Sequence, residues 1–125
     1  MTATLLARGA YAATGPTGTP RAAEYDAFAR ITGALARVAE ATREGDDFPA
    51  LVRALHDNRR LWTLLAADVA GAANALPEAL RARIFWLAEF TTEHTRRVLA
   101  GDAAAAPLVE INRAVMRGLR PGAAA

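Results

Sequence analysis

Residues 76–101 read LPEALRARIFWLAEFTTEHTRRVLAG, and one long helix accounts for nearly all of them. Pro77 suits the first turn, where its missing N–H and fixed φ carry no penalty, and Gly101 suits the position just past the end. Between them Leu80, Ile84, Leu87, Thr91, His94 and Val98 recur at steps of four and three, so they share one helix face. Trp86 and Phe90 fall elsewhere. At about 100° per residue they lie roughly 200–240° round from Ile84, on the opposite side. The run Ile84-Phe85-Trp86-Leu87-Ala88 is therefore apolar nearly all round, which a surface helix normally is not. Either other helices cover both sides of it, or one side is left for a partner.

The flanking segments repeat the helical pattern. Upstream, Asp46-Asp47-Phe48-Pro49 starts a helix whose stripe is Leu51, Leu55, Asn58, Trp62, Leu65 and Val69, widened by Leu61 and Leu64. The segment Ala70-Gly71-Ala72-Ala73-Asn74 ends it. Before that, Thr19 and Pro20 open a helix predicted to run to about Glu44, with Phe28, Ile31, Leu35 and Val38 as its stripe and Gly45 as its stop. Downstream, Asp102–Ala106 reads as a linker or an extra turn. A last helix from about Pro107 to Arg117 packs Leu108, Ile111, Val115 and Leu119. Gly15-Pro16-Thr17-Gly18 breaks the chain, and residues 1–13 could form a short helix only if it docks. No strand pattern and no internal repeat is visible. The expected fold is all-α, a compact bundle of four main helices with short loops and antiparallel neighbours. One domain over 1–125 is expected, with 1–18 mobile and 120–125 a frayed tail.

Composition narrows the function classes. The chain has no Cys, which removes disulfides and thiolate metal sites and suits a reducing compartment. The start, MTATLLARGAYAATG, makes a poor secretory signal, and the apolar runs are far shorter than the ~20 residues that span a bilayer. A soluble cytoplasmic protein is expected. All 15 basic residues are Arg, for a formal net charge of only +2. They are scattered, with adjacent pairs only at Arg59-Arg60 and Arg96-Arg97, and many have acids in helical reach: Asp26 with Arg30, Glu40 with Arg43, Glu78 with Arg81, Glu93 with Arg97. A salt-bridged surface explains this better than a nucleic-acid stripe, which would be denser.

The residue patterns of catalysis are missing. His56 and His94 stand on different predicted helices without the spacing of a di-iron bundle or a zinc helix. Gly15-Pro16-Thr17-Gly18 lacks the Lys-Ser/Thr and the preceding strand of a phosphate-binding loop, and the chain has neither Cys nor Ser. The chain is read as a non-enzyme with no cofactor and no metal.

Polar and aromatic residues at unexpected places carry more information. Asn58 interrupts one apolar stripe, and Thr91 and His94 another. They either bond each other or backbone groups and fix helix register, or line a groove for a partner's backbone. Trp86 and Phe90 share their face with Ala79, Ala82, Arg83, Glu93 and Arg97. Packing against the first or last helix, a docking groove for an amphipathic helix, and a homodimer face all fit it. The candidate partner-binding residues are Trp86, Phe90, Arg83 and Arg97.

An ordered set of positions resembles the FlaF family of flagellar proteins of alphaproteobacteria. The set comprises Asn58-x-x-Leu61-Trp62, Asp68, Asn74-Ala75-Leu76-Pro77, Leu80-Arg81-Ala82, Val98-Leu99-x-Gly101 and Leu108-x-x-Ile111-Asn112-x-x-Met116-Arg117-Gly118-Leu119. Ala10-Tyr11 and Thr19-Pro20-Arg21-x-x-Glu24 are similar to its amino-terminal pattern. The resemblance implies a non-catalytic protein that binds flagellin as a secretion chaperone, promotes flagellin production and export, and works against a partner regulator, FlbT, which represses flagellin translation. The shared positions are expected to act chiefly as scaffold. Direct RNA binding to flagellin message is the rival expectation, through phosphate contacts of the Arg pairs.

Overall fold

A computed structural model describes residues 20–71 and 76–119, with side chains between 25 and 118. The expected short first helix, the carboxy-terminal tail and Asn74 lie outside the described residues. Four helices form among the described residues: α1 (Pro20–Arg37), α2 (Phe48–Val69), α3 (Glu78–Leu99) and α4 (Ala106–Leu119). No strand occurs among the described residues.

The helix ends follow local chemistry. Pro49 lies in the first turn of α2 behind Asp47, whose carbonyl accepts the Leu51 N–H at 3.0 Å. Pro77 takes the position immediately before α3, one place earlier than the sequence pattern predicts, and its carbonyl accepts the Arg81 N–H. Gly101 adopts a left-handed φ of 85°. Its N–H bonds the Val98 carbonyl at 3.0 Å while that of Asp102 bonds Arg97 at 2.8 Å. This paired closure of a helix end needs a residue that tolerates positive φ.

The predicted extent of α1 to Glu44 is wrong. The helix ends at Arg37, seven residues earlier, and the backbone continues in tight turns, with Val38 N–H on Leu35 and Ala41 N–H on Val38. Those turns bring Val38, Ala39 and Ala41 against the apolar cluster at that end of the bundle. Burial there outweighs the good helix propensity of Ala and Glu. Arg43, carried round by the turn, donates from Nη1 to the Ala100 carbonyl at 3.1 Å and so caps α3 from outside.

The four helices alternate in direction. Phe28 of α1, Leu61, Trp62, Leu65 and Val69 of α2, and Ile84 and Ala88 of α3 make one apolar cluster. Leu35, Leu51, Leu55, Val98, Leu108 and Val109 make the other. Each helix contributes to both clusters in the order that up-down-up-down packing requires, with Ile111, Val115 and Met116 carrying α4 into the first. The expected stripe of α2 is buried along its whole length. That of α3 is buried from Ile84 to Val98 except for half-buried Leu87, but Leu80 is 41% exposed.

Between the clusters lies a polar layer with one residue from each helix: Thr32, Asn58, Thr91 and Asn112, all buried. The Trp62 indole decides its sense, because Nε1 can only donate. It donates to Asn112 Oδ1 at 2.9 Å, which turns Asn112 Nδ2 toward Asn58 Oδ1 at 2.7 Å and Thr32 Oγ1 at 3.0 Å. Three helices are joined through one amide. Asn58 Nδ2 and Thr91 Oγ1 are left without hydrogen-bond partners in the same layer. Thr91 does accept at its carbonyl from Thr95 Oγ1 at 2.6 Å.

Removing that amide is expected to be severe. Asn112→Ala strands the Trp62 N–H and opens a cavity, for a loss of about 3 kcal/mol or more. Thr32→Val removes one acceptor and is expected to cost about 1 kcal/mol. Urea denaturation of the two variants measures both; equal, small shifts would show that the layer is not what fixes the helices.

Candidate docking surface

The outer side of α3 is where the molecule leaves large apolar groups uncovered. Trp86 is 64% exposed and Phe85 41%, whereas Trp62 is 1% exposed. Trp86 stacks on Phe90 with ring centroids 6.0 Å apart, and Phe90 stacks on His94 at 5.3 Å. Spacing of four residues on a helix advances the side chain by about 40° per step, so the three rings wind from solvent toward the core. Phe90 is half-buried and His94 is 8% exposed. At the inner end His94 Nε2 lies 2.7 Å from the Ala104 carbonyl. A carbonyl only accepts, so Nε2 carries the proton. The ring ladder thus runs from the surface to the loop that joins α3 to α4.

Charged groups surround the two outer rings. Arg83 and Arg97 are exposed, and Arg97 Nη2 donates to the Asp102 carbonyl at 3.4 Å. Glu93 pairs with Arg96 at 2.6 Å rather than with Arg97, the partner expected from spacing, and both side chains are largely exposed. Such a pair adds little to stability. The other three expected pairs are not ion-paired among the described residues.

The structure therefore brings Trp86, Phe90, Arg83 and Arg97 onto one accessible face of one helix. The candidate scaffold residues separate from it. Asn58, Leu61, Trp62 and Asn112 are core. Leu76 is half-buried beside the first apolar cluster, and Pro77 is exposed at the start of α3. Arg81 is half-buried, its Nε enclosed without a hydrogen-bond partner. Gly118 is exposed, with open space where a Cβ would stand. His56 lies exposed on α2, whereas His94 is buried on α3. Near the end of α2, burial pushes the Asp68 carboxyl above its ordinary pKa.

One feature of this surface escapes sequence reasoning. A shallow groove runs between α2 and α3, lined by Thr63 and Ala66 on one side and Phe85, Ala88, Glu89, Thr92 and Glu93 on the other. Phe85 lies about 100° from Ile84, flanking the buried stripe without belonging to it. Small Ala side chains on both helices set the floor, and only the packing of α2 on α3 brings them together. No described helix is long and apolar enough to cross a membrane.

The family model described as "Flagellar protein FlaF" matches residues 7–119, nearly the whole chain, and the chain belongs to that family. No curated protein and no solved structure matches it.

The contrast between the two indoles gives a direct check on this surface. In Trp86→Phe, the remaining emission comes from Trp62 and is expected to be blue-shifted and poorly quenched by acrylamide, while the parent protein, diluted until it is monomeric, shows a readily quenched component. Uniform protection of both would place Trp86 inside.

Proposed function

Taking membership of a flagellar family as the premise, we propose that this protein is a non-catalytic flagellar regulator that binds flagellin in the cytoplasm as a secretion chaperone. The observation that carries the reading is the stack of exposed Trp86 on half-buried Phe90, on a helix whose opposite face is packed into the core from Ile84 to Val98. Flagellin termini are amphipathic segments that pair as helices in the filament and would associate prematurely if left bare. An amphipathic segment laid along α3 would cover the two rings with its apolar side and meet Arg83 and Arg97 at the rim. Aromatic anchors inside a charged border give an interface that is specific and still reversible, as release at the export gate requires. Promotion of flagellin production follows from the same binding: a bound client leaves for export instead of accumulating. FlbT, which represses flagellin translation, is its functional counterpart in this reading.

Titration of flagellin terminal peptides into the purified protein tests the proposal. Trp86→Ala is expected to weaken binding about 30-fold or more, the loss typical of a buried aromatic anchor, with far-ultraviolet circular dichroism unchanged. Binding that is indifferent to Trp86 and Phe90 moves the client elsewhere. Binding to flagellin leader RNA instead, with affinity falling steeply with salt, would replace the proposal by the RNA reading.

A further inference from the structure

The outward residues of α3, all exposed but half-buried Phe90, are spaced as a helical seam. Ala79, Arg83, Trp86, Phe90, Glu93 and Arg97 follow one another at steps of four, three, four, three and four, within an arc about 80° wide. That is the repeat by which two helices lie along each other. The order of residue types in it is self-complementary when read backwards. About a centre level with Ala88, Trp86 stands two places before and Phe90 two places after; Arg83 stands five before and Glu93 five after.

We infer that α3 pairs with α3 of a second copy of this chain, antiparallel, about a two-fold axis passing level with Ala88. A two-fold axis makes every contact twice. Each Trp86 then meets the other copy's Phe90, so that the two stacked pairs form four rings at the centre. Arg83 of each copy lies opposite Glu93 of the other, one ion pair at each end of the ring cluster. Ala79 lies opposite Arg97 and leaves room for its long stem. The parallel arrangement is excluded by charge: it sets Arg83 on Arg83, Glu93 on Glu93 and Arg97 on Arg97. Glu93 can exchange partners readily, because its bond to Arg96 is an exposed pair. The pairing stands independently of flagellin binding. Joined to it, the second copy and the client compete for one face, and the dimer is the resting form that keeps Trp86 out of water.

Sedimentation equilibrium over a concentration series tests this with the full chain. The average mass is expected to climb from the 13.2 kDa of one chain toward twice that value. Arg83→Glu and Glu93→Arg alone each oppose like charges across the axis and are expected to weaken the dimer at least about tenfold. The double variant carrying both changes restores opposite charges and is expected to regain most of the affinity. All of these positions are exposed in the monomer, and circular dichroism confirms that each variant keeps its helices. A protein that stays monomeric throughout, single reversals without effect, or a double variant no better than the singles overturns the inference. Dimerisation without flagellin binding would sink the chaperone reading alone, and flagellin binding by a strict monomer would sink this one alone.

Discussion

The amide of Asn112 is the constraint on which the rest of the bundle rests. A Trp ring placed across a small core brings one N–H with it, and that donor must find an acceptor in a region where water is absent. Asn112 supplies the acceptor, and its own two N–H groups then require acceptors on α1 and α2. The directions of these bonds are not interchangeable, since the indole cannot accept. Apolar clusters on either side would tolerate rotation or sliding of a helix by a few degrees or a fraction of a turn. The polar layer would not, because a shifted helix leaves a buried polar group bare, at a cost of about 1–3 kcal/mol. The register of α1, α2 and α4 is set at the middle of the bundle, and the apolar clusters supply most of the cohesion.

That division of labour explains why α3 can present rings to solvent. Its inner stripe from Ile84 to Val98 is held by α2 and by the capping of its end by Arg43 and Gly101. Beyond half-buried Phe90 on His94, its outer side contributes little to cohesion. Leaving a large aromatic ring in water forfeits roughly 2 kcal/mol that burial would provide, so a chain needing only to fold would gain by placing it inward or replacing it. Phe90 and His94 do not hide Trp86; they extend its stack inward to the Ala104 carbonyl. The exposed ring is thereby held in one direction on a firm base, which lowers the entropy lost when something covers it.

Much of this architecture is written in residue spacing. The starts and ends of α2 and α3 are marked by Pro49, Pro77 and Gly101, and their inner stripes by steps of three and four. The opposite placement of Trp86 and Ile84 follows from the same arithmetic. Periodicity does not say how far a helix continues once tertiary contacts compete with it. The sequence from Val38 to Glu44 is good helix by propensity, yet it turns early, and its apolar residues pack on the cluster that contains Leu35 and Leu51. Nor could spacing find Thr32 as the fourth partner of the polar layer, since a lone Thr on a helix has no signature until α4 lies beside it. The groove beside Phe85 belongs to two helices at once and is visible only after they pack. The resemblance to the flagellar family is carried in part by Asn58, Trp62 and Asn112, which the structure brings together in one hydrogen-bonded layer.

The residue that closes the polar layer stands on the last of the four helices. On a ribosome the chain emerges in order, so α1, α2 and α3 are available while the indole of Trp62 still lacks its acceptor. A three-helix nascent chain can collapse about its apolar clusters but lacks the bonds that Asn112 makes to α1 and α2. Arrival of Asn112 supplies the bonds that tie α1, α2 and α4 into one arrangement, so that arrangement is complete only once α4 has docked. The outer rings of α3 rest on His94 and the Ala104 carbonyl, so their firm base depends on the loop that leads into α4.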